Sequence, residues 1–342
     1  MRVCILTGGG DCPGLNAVIR AVVRKGEKHY GDELLGSLDG YRGLIDGETV
    51  TLDVEYMRGT LPRGGTVLGT SRMQPYGVPE GLERFRRSVD SLGIDALIVI
   101  GGEGTLACAE ALCRDGFRVV GVPKTIDNDI GGTELTFGFD TAVQIAVDAI
   151  DRLHTTAESH DRVIVVEVMG RHVGHIATWA GIAAGATITL IPEEPFDIDE
   201  VCDALVRRHE RGRYASIVVV AEGAVPRPGT IELPEKVYDA FGHVRLGGIA
   251  TRVADEIERR TGYETRVTTL GHVQRGGTPT AFDRVLSTRF GLEAIDAVHD
   301  GAWGEMVALR AGDIVRVPLR EAVANLKFVD PRLWDDASQF FA

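Results

Sequence analysis

Two short runs hold the residues best suited to chemistry. Gly101-Gly102-Glu103-Gly104-Thr105 offers bare backbone and one carboxylate. About twenty residues on, Pro123-Lys124-Thr125-Ile126-Asp127-Asn128-Asp129 offers an ammonium, a hydroxyl and two carboxylates flanking an amide. Each run follows an apolar, strand-like segment. Phosphoryl transfer needs these groups: amides to hold phosphates, an acidic metal ligand, and a base for an attacking alcohol. The glycines let a polyphosphate lie against the main chain without Cβ clashes. Glu103 is suited to hold magnesium, directly or through water. Asp127 would take the proton from an attacking hydroxyl, and Asp129 would face the metal. An Asx-rich turn alone does not account for Lys124 and Thr125 beside both acids.

Other glycine runs repeat the theme. Gly8-Gly9-Gly10-Asp11-Cys12-Pro13-Gly14-Leu15-Asn16 opens a helix after the first strand, where backbone amides attract phosphate. A tight strand-to-helix turn explains it equally well, and no Walker Lys-Ser/Thr follows. Val168-Met169-Gly170-Arg171 starts a further expected helix, from which Arg171 could reach a phosphate in transfer. Met169 by itself is more often packing than a ligand contact. Leu270-Gly271-His272-Val273-Gln274-Arg275-Gly276-Gly277 places His272 and Arg275 at a strand end, with Arg162 and Arg266 elsewhere in the second half. Singly these cations are surface charges; together they read as a sugar-phosphate clamp. Glu222 follows another strand and either accepts from sugar hydroxyls or caps a loop.

These residues need a scaffold, and the pattern supplies strand, glycine turn, helix, repeated. Strands are expected over Arg2–Leu6, Asp95–Ile100, Phe117–Val122, Val163–Val168, Ile188–Ile191, Ser216–Ala221 and Arg266–Leu270. Helices are expected over Gly14–Lys28, 80–92, Thr105–Arg114, Asp140–Ser159, Arg171–Gly181, Ala250–Arg260 and Phe282–His299. Such alternation implies α/β architecture, with parallel sheets covered by helices on both faces. The 342 residues suit two domains, and the rhythm breaks near Gly131–Thr141. In parallel sheets ligands collect at the carboxyl ends of strands, where every glycine run named here sits.

The composition is that of an ordinary globular enzyme, with 44% hydrophobic and 25% charged residues. A net charge of −13 disfavours nucleic acid and anionic membranes. An anionic substrate then needs a local basic pocket. Five cysteines without a Cys-x-x-Cys pair read as reduced cytosolic thiols. No signal peptide and no membrane-length apolar run is read, and the expected location is the cytoplasm.

From Gly8-Gly9-Gly10-Asp11 to about Ala308 the chain resembles the phosphofructokinase family. The runs at 101–105, 123–129, 169–171 and 270–277 occur in the order that family uses. The likeness is to the actinobacterial-type branch, which has both ATP- and pyrophosphate-dependent members. It implies two Rossmann-like α/β domains with largely parallel sheets. One would cover 1–140 plus about 275–320 and bind nucleotide; the other would cover 141–274 plus about 321–342 and bind sugar phosphate. Gly10, Arg72, Met73, Gly102, Glu103, Gly104 and Thr105 would hold ATP, and Glu103 the magnesium. Asp127 would activate the 1-hydroxyl of fructose 6-phosphate. Thr125 would contact the moving phosphoryl group and Arg171 stabilise its charge. Arg162, Met169, Gly170, Glu222, Arg266, His272 and Arg275 would grip the sugar phosphate. Arg162 and Arg266 would reach in from a neighbouring subunit, which implies a homodimer or homotetramer. Arg20, Arg24, Arg211 and Arg213 stand where bacterial relatives bind an allosteric effector, although surface solvation explains them too.

Two positions depart from the familiar ATP users: Glu rather than Asp at 103, and Lys rather than Gly at 124. Pyrophosphate users of the family carry Lys at 124 and also Asp at 104. A carboxylate at 104 would crowd and repel the α-phosphate of ATP. Gly104 therefore selects ATP as the expected donor, with pyrophosphate as the alternative. A NAD or lipid kinase with a related glycine loop is disfavoured by the 125–129 and 272–277 segments. A non-catalytic nucleotide sensor is disfavoured by the presence of Asp127, and an oxidoreductase by the missing Gly-x-Gly-x-x-Gly spacing.

Overall fold

A computed structural model describes residues 1–231 and 247–341. The first half runs β1 (Arg2–Gly8), α1 (Leu15–Lys25), β2 (Glu33–Ser37), α2 (Tyr41–Asp46), β3 (Thr49–Leu52), α3 (Gly81–Ser91), β4 (Ala96–Gly101), α4 (Glu103–Arg114) and β5 (Val119–Pro123). Then come α5 (Phe139–His160), β6 (Val163–Val168), α6 (His175–Ala183), β7 (Ile188–Leu190), α7 (Ile198–Glu210), β8 (Ser216–Ala221), α8 (Ile249–Thr261) and β9 (Thr265–Thr269). The chain closes with α9 (Ala281–His299), β10 (Glu305–Arg310), β11 (Asp313–Pro318), α10 (Leu319–Ala322) and α11 (Pro331–Ser338).

Two compact units form, and each is α/β, as the alternation implied. Unit 1 comprises Met1–Thr141 and Arg275–Lys327; unit 2 comprises Ala142–Gln274 and Phe328–Ala342. The return segment of unit 1 runs to Lys327 rather than to about 320. The reason is local pairing: Gly131 N–H donates to Ala322 O, Ile130 bridges Leu326, and Lys327 N–H donates to Asp129 O.

In unit 1 the strands lie in the order β11-β10-β5-β4-β1-β2-β3. The five central strands are parallel, and the edge strands β3 and β11 are antiparallel to their neighbours. β4 (ALIVIG) and β5 (VVGVP) are buried along their whole length, which is why they read as continuous apolar runs. One core joins Tyr41, Leu44, Phe85, Leu106, Leu112 and Leu319 from α2, α3, α4 and α10. α1 and α9 pack together, closely enough that a Cβ on Gly291 would stand 2.5 Å from Val18 O. Because β1 connects toward β2 on one side and β4 toward β5 on the other, the order reverses between β1 and β4. That reversal opens a crevice at their carboxyl ends.

Unit 2 holds four parallel strands in the order β7-β8-β6-β9. Val163, Val165, Val218 and Val220 meet Ile198, Leu205, Val253 and Ile257 of α7 and α8. Glu167 is an acid inside a buried strand, and its role is local. Its carboxylate accepts from Gly248 N–H (2.9 Å) and Ala250 N–H (3.1 Å), capping α8.

One expected helix is displaced. α6 begins at His175, not Arg171. The bond that would close a turn from 170 to 174 is not made, since Gly170 O accepts from Gly223 N–H and Gly174 N–H donates to Glu193. Arg171 therefore sits in a turn after Gly170, whose φ is 138°.

Candidate functional site

In unit 1 the glycine runs meet at one edge. Gly8 is in register with Gly101, and Gly101 with Pro123, so residues 8–10, 101–105 and 124–129 leave three adjacent parallel strands side by side. Lys124 N–H donates to Gly101 O (2.9 Å), tying the second and third runs. Gly9 N–H donates to Ser71 O (3.0 Å) and Thr70 Oγ1 to Gly9 O (2.6 Å), which brings the 70–74 segment with Arg72 and Met73 to the same edge.

α4 starts at Glu103 with Gly102 as its cap, and the first bond within the helix is Leu106 N–H to Gly102 O (3.0 Å). The amides of Glu103, Gly104 and Thr105 therefore face outward from a helix start, a ready anion site. The Thr105 side chain lies beneath them, buried against bare backbone. A Cβ at Gly8 would come within 2.7 Å of it and one at Gly101 within 2.3 Å. Thr105 O accepts from Tyr41 Oη (2.8 Å). Around Gly104 there is room: an added Cβ would find only Gln74 Nε2, at 3.8 Å.

Lys124 is buried, and its ammonium donates to Gly10 O. Burial first, and the neighbouring Arg275 cation next, lower its pKa; Cys12, Asp127 and Asp129 pull the other way. Arg275 lies in unit 1 with these residues. Its guanidinium occupies the space a Gly10 Cβ would need, with Nη1 only 1.6 Å from that position. Gly10 is thus required for Arg275 to seat.

The acids ride on a tight turn. Asp127 N–H donates to Thr125 Oγ1 (3.1 Å), and Thr136 Oγ1 donates to Thr125 O (2.7 Å). Asn128 takes a left-handed conformation (φ 54°) between the two acids. Its Oδ1 accepts from Thr136 N–H (3.1 Å) and from Lys327 Nζ (2.7 Å). Burial raises the Asp129 carboxyl pKa, against hydrogen bonding and the cations Lys124 and Lys327. Asp129 Oδ1 is buried with no hydrogen-bond partner among the described residues. An orphaned acceptor of this kind, with the exposed Glu103 at the helix start of the same edge, fits magnesium held by one or two carboxylates plus substrate phosphates. Among the described residues no three of His, Cys, Asp and Glu converge on a dedicated metal cage.

In unit 2 the predicted residues divide. Val168 is in register with Ala221, Glu222 N–H donates to Val168 O (2.8 Å), and Leu270 N–H donates to Glu167 O (3.0 Å). Met169, Gly170, Arg171, Glu222 and His272 therefore share the carboxyl ends of β6, β8 and β9. Met169 is buried and its N–H donates to the buried Gln274 (3.3 Å), so it shapes the turn. Arg162 and Arg266 lie at the opposite, amino end. Arg162 pairs with Glu264 (2.7 Å), and Arg266 pairs with the same carboxylate. Six residues of strand, about 20 Å, separate the two groups.

Of the arginines at the expected effector positions, Arg20 and Arg24 line a cavity of about 280 Å³ in unit 1 with Glu55 and Arg58. Arg211 and Arg213 follow α7 in unit 2. Sequence reasoning missed Lys327 at the acid-bearing turn. Its signal is long-range pairing, which periodicity does not carry.

A family model described as phosphofructokinase matches residues 2–298. The chain is 60% identical over 342 residues, the whole of both chains, to a pyrophosphate–fructose 6-phosphate 1-phosphotransferase of Streptomyces coelicolor. It is 56% identical over 342 residues, again the whole of both chains, to an ATP-dependent 6-phosphofructokinase of Mycobacterium bovis. The solved phosphofructokinase of Pichia pastoris superposes with a TM-score of 0.84 at 33% identity, covering 100% of this chain and 38% of that longer one. With glycine-run amides and paired acids at one edge of unit 1, and full-length likeness to these proteins, the chain belongs to the phosphofructokinase family.

Proposed function

We propose that the chain phosphorylates fructose 6-phosphate at its 1-hydroxyl with magnesium and ATP, giving fructose 1,6-bisphosphate and ADP. The acceptor is common to the names of the full-length relatives; the donor differs between them. The observation that carries the donor reading is the open space at Gly104, whose nearest obstacle to a Cβ is 3.8 Å away. A nucleotide α-phosphate passes a glycine there.

Asp127 accepts the proton of the 1-hydroxyl, and its own amide is fixed by Thr125 Oγ1. Thr125 and the outward amides of Glu103, Gly104 and Thr105 orient the phosphates, with Gly10, Gly102, Arg72 and Met73 completing the donor contacts. Lys124 and Arg171 stabilise negative charge on the group in transfer. Arg275 stands beside Lys124 on the Gly10 loop, so it acts with the donor loop as well as on the sugar phosphate. Glu103 and Asp129 would hold magnesium, which when bound would neutralise phosphate charge. Met169, Gly170, Arg171, Glu222 and His272 hold the acceptor. Arg162 and Arg266, at the far end of their strands, serve a neighbouring subunit's acceptor in a homo-oligomer. A glycolytic role and a cytoplasmic location go with this reading. Among the described residues no helix is long and apolar enough to cross a membrane.

Pyrophosphate is the second reading. The buried ammonium of Lys124 and the name of the Streptomyces relative favour it. Rates of fructose 6-phosphate phosphorylation with ATP and with pyrophosphate, measured side by side, decide between them. ATP is expected to be the efficient donor, and turnover with pyrophosphate alone overturns the assignment.

A further inference from the structure

The turn that carries both acids is held by a residue 199 positions downstream of Asn128. Lys327 Nζ donates to Asn128 Oδ1 (2.7 Å), Glu134 O (2.8 Å) and Thr133 O (3.0 Å). An ammonium has three donors, and here all three find oxygen. The backbone joins in, since Lys327 N–H donates to Asp129 O (2.9 Å). Asp129 and Glu134 add negative charge nearby.

This arrangement resembles a monovalent cation in a cage of carbonyl-type oxygens, with the cation supplied by the chain. Its location gives it a task. Asn128 sits at φ 54°, a left-handed conformation that Asn adopts more readily than other residues with a Cβ. That conformation sets the directions in which Asp127 and Asp129 leave the turn. Two acceptor groups on the far side of the loop, the Thr133 and Glu134 carbonyls, are drawn to the same point as Asn128 Oδ1. Without a cation there, Asn128 Oδ1 and the Thr133 carbonyl would be left facing one another, and Glu134 O would keep the long bond from Asn128 Nδ2 (3.5 Å).

We propose that Lys327 is a positioning residue for phosphoryl transfer, a built-in monovalent cation that holds the Asn128 turn and thereby aims Asp127 and Asp129. The inference rests on the phosphotransferase reading, and its test has a readout that does not depend on turnover. Lys327→Met keeps the apolar stem and removes the charge; Lys327→Arg keeps a charge; Lys327→Ala opens the cage. For Lys327→Met, kcat is expected to fall about ten- to a hundredfold, the range for groups that orient ligands from behind. The KM for fructose 6-phosphate stays within about twofold, and backbone amide exchange across 128–136 accelerates. Lys327→Arg recovers a large part of kcat. Lys327→Ala gains turnover on adding methylammonium chloride and gains none from tetramethylammonium chloride at equal ionic strength, because the larger ion does not fit.

A Lys327→Met enzyme with unchanged kcat and unchanged exchange at 128–136 overturns the proposal. So does a loss in which KM rises as much as kcat falls, or one that Lys327→Arg fails to recover at all. Should Lys327→Met not fold, the Arg variant and the cation dependence of the Ala variant decide. A wild type that phosphorylates no sugar would defeat the phosphotransferase reading, while the exchange comparison would still judge Lys327.

Discussion

Gly104 illustrates how a single missing side chain sets chemistry. In the first turn of α4 its amide faces outward, and its Cα is open except toward Gln74, which donates to Gly104 O (3.0 Å). The Cβ of Gly104→Asp therefore stands in ordinary contact with Gln74 Nε2, at 3.8 Å, and displaces no backbone. An aspartate in the first helical turn is favoured by the helix dipole. Against a nucleotide α-phosphate the same carboxylate is a like charge at close range, worth about 4 kcal/mol at an effective dielectric near 20. Gly104→Asp is expected to melt within about 2 °C of the wild type and to lose catalytic efficiency with ATP by about a hundredfold or more. Titration of initial rates against ATP and against pyrophosphate checks this. Loss of both donors in equal measure would count against a clash specific to the nucleotide. The glycines at 8 and 101 are a different case, for they admit the Thr105 side chain rather than a ligand, while Gly10 also makes room for the Arg275 guanidinium.

At the scale of elements, the turn that carries Asp127 and Asp129 leads into the start of α5, and that start is held by a buried carboxylate. Asp283, in the first turn of α9, accepts from Gly138 N–H (2.9 Å), Thr141 N–H (2.8 Å) and Thr141 Oγ1 (2.5 Å). Burial raises its carboxyl from 3.8 to about 6 in spite of these donors. The sign follows. Between about pH 4 and 6 the folded state binds the proton more tightly than the unfolded chain. Stability from this group is greatest in acid and falls as pH rises through about 6. An amide does not titrate. The gap in melting temperature between wild type and Asp283→Asn is therefore expected to be wider near pH 4.5 than near pH 7.5, as melts of both proteins at both pH values would reveal. A gap that grows with rising pH contradicts the assignment. The elements were unequally legible in the sequence. β4, β5, β6 and β8 are dominated by apolar residues, with Glu167 the one acid among them, and the sequence reading found each within about two residues. β2, β3, β10 and β11 went unseen. They lie at or near sheet edges and are mixed in polarity, and the sheet takes them up through β1–β2 and β5–β10 pairing. The start of α6 was misplaced because Glu193 and Gly223 take the hydrogen bonds a helix at Arg171 would have used. Lys327 was missed for the same reason, since its partners lie 193 to 199 residues earlier.

At the scale of the whole molecule, the question is where two arginines belong. The family resemblance has Arg162 and Arg266 grip the sugar phosphate of a neighbouring subunit, and the sheet of unit 2 separates them from the other expected sugar-binding residues of their own chain. Met169–Arg171, Glu222 and His272 leave the carboxyl ends of the strands, while Arg162, Glu264 and Arg266 cluster at the amino ends. Strand direction fixes that separation, and no side-chain rotation about 20 Å away can undo it. If both arginines are to touch a phosphorylated sugar, the sugar must be bound by another copy of the chain. A two-fold assembly would then carry two sites, each using the acids of one subunit and the arginines of the other. This arrangement has a signature that no single-chain site can imitate. Asp127→Asn should lower kcat by about a thousandfold, as expected for loss of a general base. Arg162→Ala with Arg266→Ala should raise the KM for fructose 6-phosphate far beyond the assay range. Each variant alone is then nearly inactive. Unfolded together in equal amounts and refolded, half of the dimers are mixed, and each mixed dimer holds one site with every wild-type group. Recovery of about a quarter of wild-type turnover per subunit is the expected result. If the mixture stays at the sum of its inactive parents while native mass measurement shows mixed dimers, the arginines serve their own chain's chemistry or none, and the shared site is refuted.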